Sequence, residues 1–144
     1  MPTPCRDRYG LRLTTSDAAA DVYNRGVGDL LRLRAGAVEA IASSVVHDPT
    51  FALGHAALAL LGHDMCAPVD VPGRMRDAER HAVRATERER SHVHAILSHL
   101  RGDPRPVIAH LQAYPVDALL LSAAVTPAKA IVGTAADSSR ASTG

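Results

Sequence analysis

The chain has 144 residues, with sixteen Lys and Arg against fifteen Asp and Glu, for a net charge of +1. That length suits one domain, or three to four helical repeats, and allows burial of roughly 68–70% of the unfolded surface. The charge balance gives no electrostatic reason to expect nucleic acid or an anionic membrane as partner. Hydrophobic residues make up 47% but aromatics only 3%, and tryptophan is absent, so stacking platforms for bases or sugars are not expected. Lys129 is the only lysine, and the arginine–alanine bias reads as the imprint of a GC-rich genome. Cys5 and Cys66 make no CxxC or zinc-ligand spacing and read as reduced thiols. Residues 1–12 are polar and lack the apolar core of a secretory signal. No apolar window of about 18 residues is present to span a membrane. The chain therefore reads as soluble and cytoplasmic.

Past residue 15 nearly every segment repeats apolar residues with a period of 3.6, and none alternates with a period of two. Ser16 is a good N-cap, with Asp17 in the first turn, where the helix dipole favours an acid. The first helix then presents Tyr23, Val27, Leu30 and Leu31; Gly26 and Gly28 weaken it unless a neighbour packs closely there. Gly36 breaks the pattern, and a second helix runs to about His47 with Val38, Ile41, Ala42, Val45 and Val46 on one face. Asp48-Pro49 stops it and is expected to start the third helix, with Asp48 as N-cap and Leu53, Ala57, Leu60 and Leu61 buried.

A loop is expected over Cys66 to Gly73, then a fourth helix over about Arg74 to Ala85 with a thin face of Met75, Ala78, Ala82 and Ala85. Thr86 and Glu89 form a capping box for the fifth, which uses Val93, Ile96, Leu97 and Leu100 and ends at Gly102. Asp103-Pro104 opens the sixth, with Val107, Ile108 and Leu111; Pro115 closes it, and Asp117 opens a seventh through Leu119 and Leu121. From Thr126 onward Ala, Ser, Thr and Gly dominate without a capped stripe, which predicts disorder. The expected organisation is a flexible segment over 1–15, a helical repeat domain over 16–125 and a disordered or frame-shifted tail over 126–144.

Pro49 and Pro115 each follow one amphipathic helix and precede another, separated by close to two units of about 34 residues. The run His47-Asp48-Pro49-Thr50-Phe51-Ala52-Leu53-Gly54-His55-Ala56 resembles the DPTF-x-x-GHA segment of the tetratricopeptide repeat protein 38 family. Leu13-Thr14-Thr15-Ser16 resembles that family's start, and Arg88-Glu89-Arg90-Ser91-His92-Val93-His94-Ala95 is similar to its RE-x-x-HV-x-A stretch. Gly102-Asp103 with Tyr114-Pro115-Val116-Asp117-Ala118-Leu119 resembles its next repeat. The likeness covers roughly residues 10–125. It implies an all-α fold of stacked antiparallel helix hairpins, a tetratricopeptide-like α-solenoid of about seven short helices, and carries no settled enzymatic activity. Chains of that family are several times longer. The likeness fades after Val125 and the sixth helix is a turn short, so the expectation is an N-terminal fragment with an incomplete, uncapped stack.

Eight histidines invite a metal or acid–base reading, but no HExxH or Cys/His zinc spacing occurs. His92 and His99 share a helix face, whereas His94 lies about 200° from His92 at 100° per residue. No metal site, cofactor or catalytic residue is expected. Cys66 beside His63 and Asp64 is the one thiol near a base, and sequence adjacency alone makes no triad. In tetratricopeptide stacking the first helix of each pair lines the concave surface; here those helices carry His55, His63, His92, His94 and His99, the candidate groove contacts. Arg74, Arg76, Arg80, Arg84 and Arg88 form a ridge diluted by Asp77, Glu79 and Glu87. The functional expectation is a non-catalytic interaction scaffold for a protein or peptide partner, with self-association through the uncapped C-terminal repeat. The alternative is an enzyme or metal-binding helical domain using the histidine-lined groove.

Overall fold

The fold is taken from a computed structural model that describes residues 4–124. Six helices, α1 (Asp17–Leu31), α2 (Ala37–His47), α3 (Ala52–Asp64), α4 (Val71–Ala82), α5 (Glu87–Leu100) and α6 (Arg105–Ala113), follow one another through short connections. A seventh, α7, occupies 118–124, where the described residues end. No strand occurs among them, only an isolated antiparallel bridge between Arg6 and Arg12. The fold is all-α. The tail expected to be disordered, 126–144, lies outside the described residues.

Local chemistry sets most helix ends. Ser16 takes extended backbone and its side chain accepts from the Ala19 N–H, as an N-cap should. Thr86 and Glu89 close a reciprocal capping box at the head of α5, and Gly102 supplies the left-handed turn (φ +89°) after its last residue.

Two starts differ from expectation. α3 begins at Ala52, not at Pro49, because the Asp48 carboxylate is used elsewhere. One oxygen accepts from the Thr50 N–H (3.0 Å) and hydroxyl (2.7 Å), and the other accepts from the Thr15 hydroxyl (2.6 Å). Such a self-closing Asx turn competes with helix initiation. α4 begins three residues earlier than expected, at Val71. Asp70 caps it by accepting from the Gly73 N–H, and Pro72 sits in the first turn, where its missing N–H costs nothing.

The helices pack in consecutive pairs, α1 on α2, α3 on α4 and α5 on α6; α3 also lies against α2 and α5, and α4 against α5. α3 is the centre. All of residues 52–61 are buried, so the four-residue face expected for it is only part of its covered surface. On α2 the stripe is rotated from expectation. Ile41 and Val45 are buried with Ala37, Ala40 and Ser44, while Val46 is 78% exposed. Small residues bring α2 close to α1: a Cβ on Gly26 would lie 2.6 Å from Ile41 Cγ1 and 3.1 Å from Ala40 Cβ. That is the close neighbour the glycine in α1 requires.

Within the segment expected to be flexible, residues 5–15 make specific contacts. The Leu13 side chain belongs to the core and its N–H donates to the Cys5 carbonyl at 2.8 Å. Thr14 donates both its N–H and its hydroxyl to the buried Glu89 carboxylate, each at 2.6 Å. Glu89 is thereby shared between the chain's beginning and the α5 cap.

Gly54 tests the packing of α3. A Cβ there would meet Val45 Cγ1 at 2.7 Å, Ser44 Oγ at 2.9 Å and Phe51 Cδ2 at 3.0 Å. Alanine gains about 1 kcal/mol in helix propensity, but overpacking costs about 1–3 kcal/mol. With three buried neighbours to displace, Gly54→Ala lowers stability, read as a lower urea midpoint at unchanged slope. A raised midpoint would show that α2 can yield.

Candidate functional site

The largest group of buried polar side chains sits where α5, α6 and the start of α7 meet. Arg88 and His92 are one turn apart on α5 and so share a face; His110 comes from α6, and Asp117 immediately precedes α7. All four are buried, His92, His110 and Asp117 to within 1–3% of full burial. One oxygen, Asp117 Oδ2, gathers the group. It accepts from His92 Nδ1 at 2.7 Å and His110 Nε2 at 2.8 Å, with Arg88 Nη1 at 3.4 Å. The Arg88 guanidinium also donates through Nη2 to the Arg12 carbonyl at 2.5 Å.

These contacts fix hydrogen positions. With Nε2–H of His110 directed at the carboxylate, its Nδ1 is free to accept the Ser91 hydroxyl, 2.7 Å away. His92 directs Nδ1–H at the carboxylate in the same way, and among the described residues its buried Nε2 has no hydrogen-bond partner. Burial alone would push the Asp117 carboxyl up. Its electrostatic interaction with the His92 ring, the hydrogen bonds from His110 and His92 and the Arg88 guanidinium outweigh this and hold the group well below the usual carboxylate range. Burial, reinforced by the Asp117 charge, likewise pushes the nearby Tyr23 phenol up. The His92, His110 and Asp117 ligand atoms all lie within 4.8 Å of one another, close enough for one metal ion to meet a nitrogen from each ring and a carboxylate oxygen.

The five histidines singled out in the sequence fall into different surroundings. His55 is buried: its Nε2 donates to the Pro49 carbonyl at 2.7 Å, its Nδ1 receives Arg74 at 3.1 Å, and its ring stacks on His81. His63 and His99 do come together, joined by Asp64, which bonds His63 Nδ1 at 2.7 Å and His99 Nε2 at 3.1 Å. His92 belongs to the Asp117 group, and His94 is exposed. His55 and His92 thus face inward, and surface contact falls to His63 and His94. Cys66 is exposed, and the bonds of His63 and Asp64 run to each other and to His99 rather than to its thiol. The arginine ridge is interrupted too, since Arg74 turns to His55 and Arg88 turns inward to Asp117.

Sequence reasoning missed Asp117, Arg88, His110 and Ser91 as one group. The i, i+4 spacing of Arg88 and His92 was the only local signal, and the convergence of α6 and Asp117 on that face is a long-range contact. A cleft of about 510 Å³ borders the group at the surface, lined by Ser91, His94, Asp103, Arg105 and His110 among others. Compared with known proteins, the chain matches no family model, no curated protein and no solved structure.

Removing the carboxylate while keeping its partners leaves a buried guanidinium without a counter-charge. Asp117→Ala therefore costs about 3–5 kcal/mol, the range for breaking a buried ion pair on one side; a loss under 1 kcal/mol in urea unfolding would mean the group is hydrated. His55 gives a pH-dependent prediction. Burial pushes its pKa below the ordinary 6.5, with the Arg74 charge adding to this and the Pro49 hydrogen bond opposing it. The unfolded chain therefore binds the proton first as pH falls. His55 contributes its stability above about 6.5 and loses it as pH drops through the lower folded value. Between pH 7.5 and 5 the native protein should lose more stability than His55→Gln; parallel curves would contradict a neutral His55.

Proposed function

We propose that this chain is a non-catalytic helical-repeat protein, a tetratricopeptide-like stack that docks a protein or peptide segment. The observation that carries this reading is the order of packing. Successive pairs α1/α2, α3/α4 and α5/α6 follow along the chain, and α3, the first helix of its pair, lies directly against α5, the first helix of the next. Repeat stacks are built from such neighbour contacts. The likeness of the Asp48 to Ala56 run to the tetratricopeptide repeat protein 38 family supports the same reading.

The docking surface in this proposal is the α5–α6 cleft. Its walls mix His94, Arg105 and Asp103 with the small side chain of Ala109, a composition suited to a polar peptide strand held by side-chain hydrogen bonds. The alternative, catalytic use of this cleft, would need a group that stabilises developing charge. Arg105 is already engaged through two bonds with Asp103, at 2.9 and 3.0 Å.

A display selection with the folded chain as bait tests the reading. The expected result is an enriched peptide family whose affinity, measured by fluorescence anisotropy, falls about tenfold or more in Ala109→Glu, a loss of about 1.4 kcal/mol. Ala109 is exposed, so this variant keeps the fold. Failure to enrich any family, or unchanged affinity in Ala109→Glu, overturns the assignment.

A further inference from the structure

We infer that His92, His110 and Asp117 form a binding site for one divalent transition-metal ion, Zn²⁺ by preference, that clamps α5, α6 and the start of α7 together. The inference is independent of the docking reading. Three separate elements deliver the donors, and their ligand atoms already lie within 4.8 Å of one another. Two imidazole nitrogens and one carboxylate oxygen are a donor set that zinc accepts, with water able to complete the tetrahedron. All three side chains are buried, so the donors are held in place by packing rather than gathered from mobile surface positions.

Two further observations point to a ligand. The first is that both rings already present a nitrogen to the same carboxylate oxygen, His92 Nδ1 at 2.7 Å and His110 Nε2 at 2.8 Å, so the donors converge on one point. The second is the outer contact of His110. Metal-bound histidines commonly donate their other ring N–H to a fixed oxygen, and Ser91 Oγ stands 2.7 Å from His110 Nδ1. When Nε2 passes from the carboxylate to a metal, the hydrogen moves to Nδ1 and Ser91 becomes its acceptor. The open α5–α6 cleft reaches His110 and provides the way in.

Arg88 sets the strength of the site. Its guanidinium contacts the same Oδ2 that a metal would take, but at 3.4 Å, while its shorter bond runs to the Arg12 carbonyl. A cation entering the centre displaces the longer contact and leaves the shorter one. Positive charge at Arg88 therefore weakens metal binding without abolishing it, and removing that charge should strengthen it.

The test is titration of the chelator-stripped protein with Co²⁺, read by visible absorption, and with Zn²⁺, read by melting temperature. The expected result is one equivalent of Co²⁺ giving the absorption of a tetrahedral site, displaced by Zn²⁺, with a raised melting temperature. His92→Gln and Asp117→Asn, checked for helicity by circular dichroism, should lose the band, while His94→Ala should keep it. Arg88→Met should bind about tenfold more tightly, an effect of the size seen for residues around metal ligands. Should the ligand variants not fold, imidazole NMR of the wild-type protein decides: His92 and His110 signals must shift with the first equivalent. Absence of band and melting shift in both wild type and Arg88→Met overturns the site. So does a band retained in folded His92→Gln, or a first equivalent that shifts His63 and His99 instead.

Discussion

A helix with no face to give to water constrains everything around it. From Ala52 to Leu61, α3 is buried on every side, through Ala, Leu, Gly and even His55. Such a helix cannot be stable alone in water and must be enclosed. The rest of the chain supplies the enclosure: α2 on one flank, α4 as its pair, α5 on another, and Phe51 at its head wedged edge-on against Tyr23 of α1 at 5.0 Å. The small residues in α3 serve the same end. Without a side chain at Gly54, Val45 and Ser44 of α2 approach the helix backbone to distances that a methyl group would obstruct. His55 fits this apolar setting because both ring nitrogens have partners, the Pro49 carbonyl and Arg74.

α5 carries a different burden, two buried carboxylate sites solved by different chemistry. Glu89 is neutralised by dipoles: two N–H groups and two hydroxyls, from Thr14 and Thr86, surround it. Asp117 is held by charge and by imidazole, with a guanidinium and two rings on one oxygen. The dipolar solution is closed, because every contact is a short hydrogen bond from a fixed donor. The Asp117 group is looser, with one contact at 3.4 Å and one ring nitrogen that has no partner among the described residues. That looseness is why a ligand can be argued for at Asp117 and not at Glu89.

Much of the fold was legible in the sequence because it depends on local rules. Ser16, the Thr86–Glu89 box and Gly102 mark helix ends through bonds made within a few residues, and all three act as read. Asp48 and Asp70 were harder. Both are acids beside a turn, but Asp48 spends its oxygens on Thr50 and the distant Thr15, whereas Asp70 caps. No local pattern separates those outcomes. The histidines show the same limit. Helical spacing says which of them share a face, not whether that face meets solvent, a carbonyl or a carboxylate. The Asp117 group unites residues from 88 to 117 across three elements, and only the packing of α6 against α5 brings them together.

The beginning of the chain changes how the helix pairs hold together. In an open repeat stack each unit touches only its neighbours, so terminal units can peel away at small cost. Here residues 12–14 reach the head of α5 directly. Thr14 bonds Glu89 across 75 positions of sequence, and the Arg12 carbonyl bonds Arg88 across 76. The same two α5 residues belong to the capping box and to the Asp117 group. Releasing α5 from the rest would therefore strip the two Thr14 donors from the Glu89 carboxylate and remove a tie on the guanidinium that balances Asp117. The segment that leads into α1 is thus tied to the third helix pair by polar bonds. The α5–α6 pair is therefore held both by the segment ahead of α1 and by Asp117 at the start of α7.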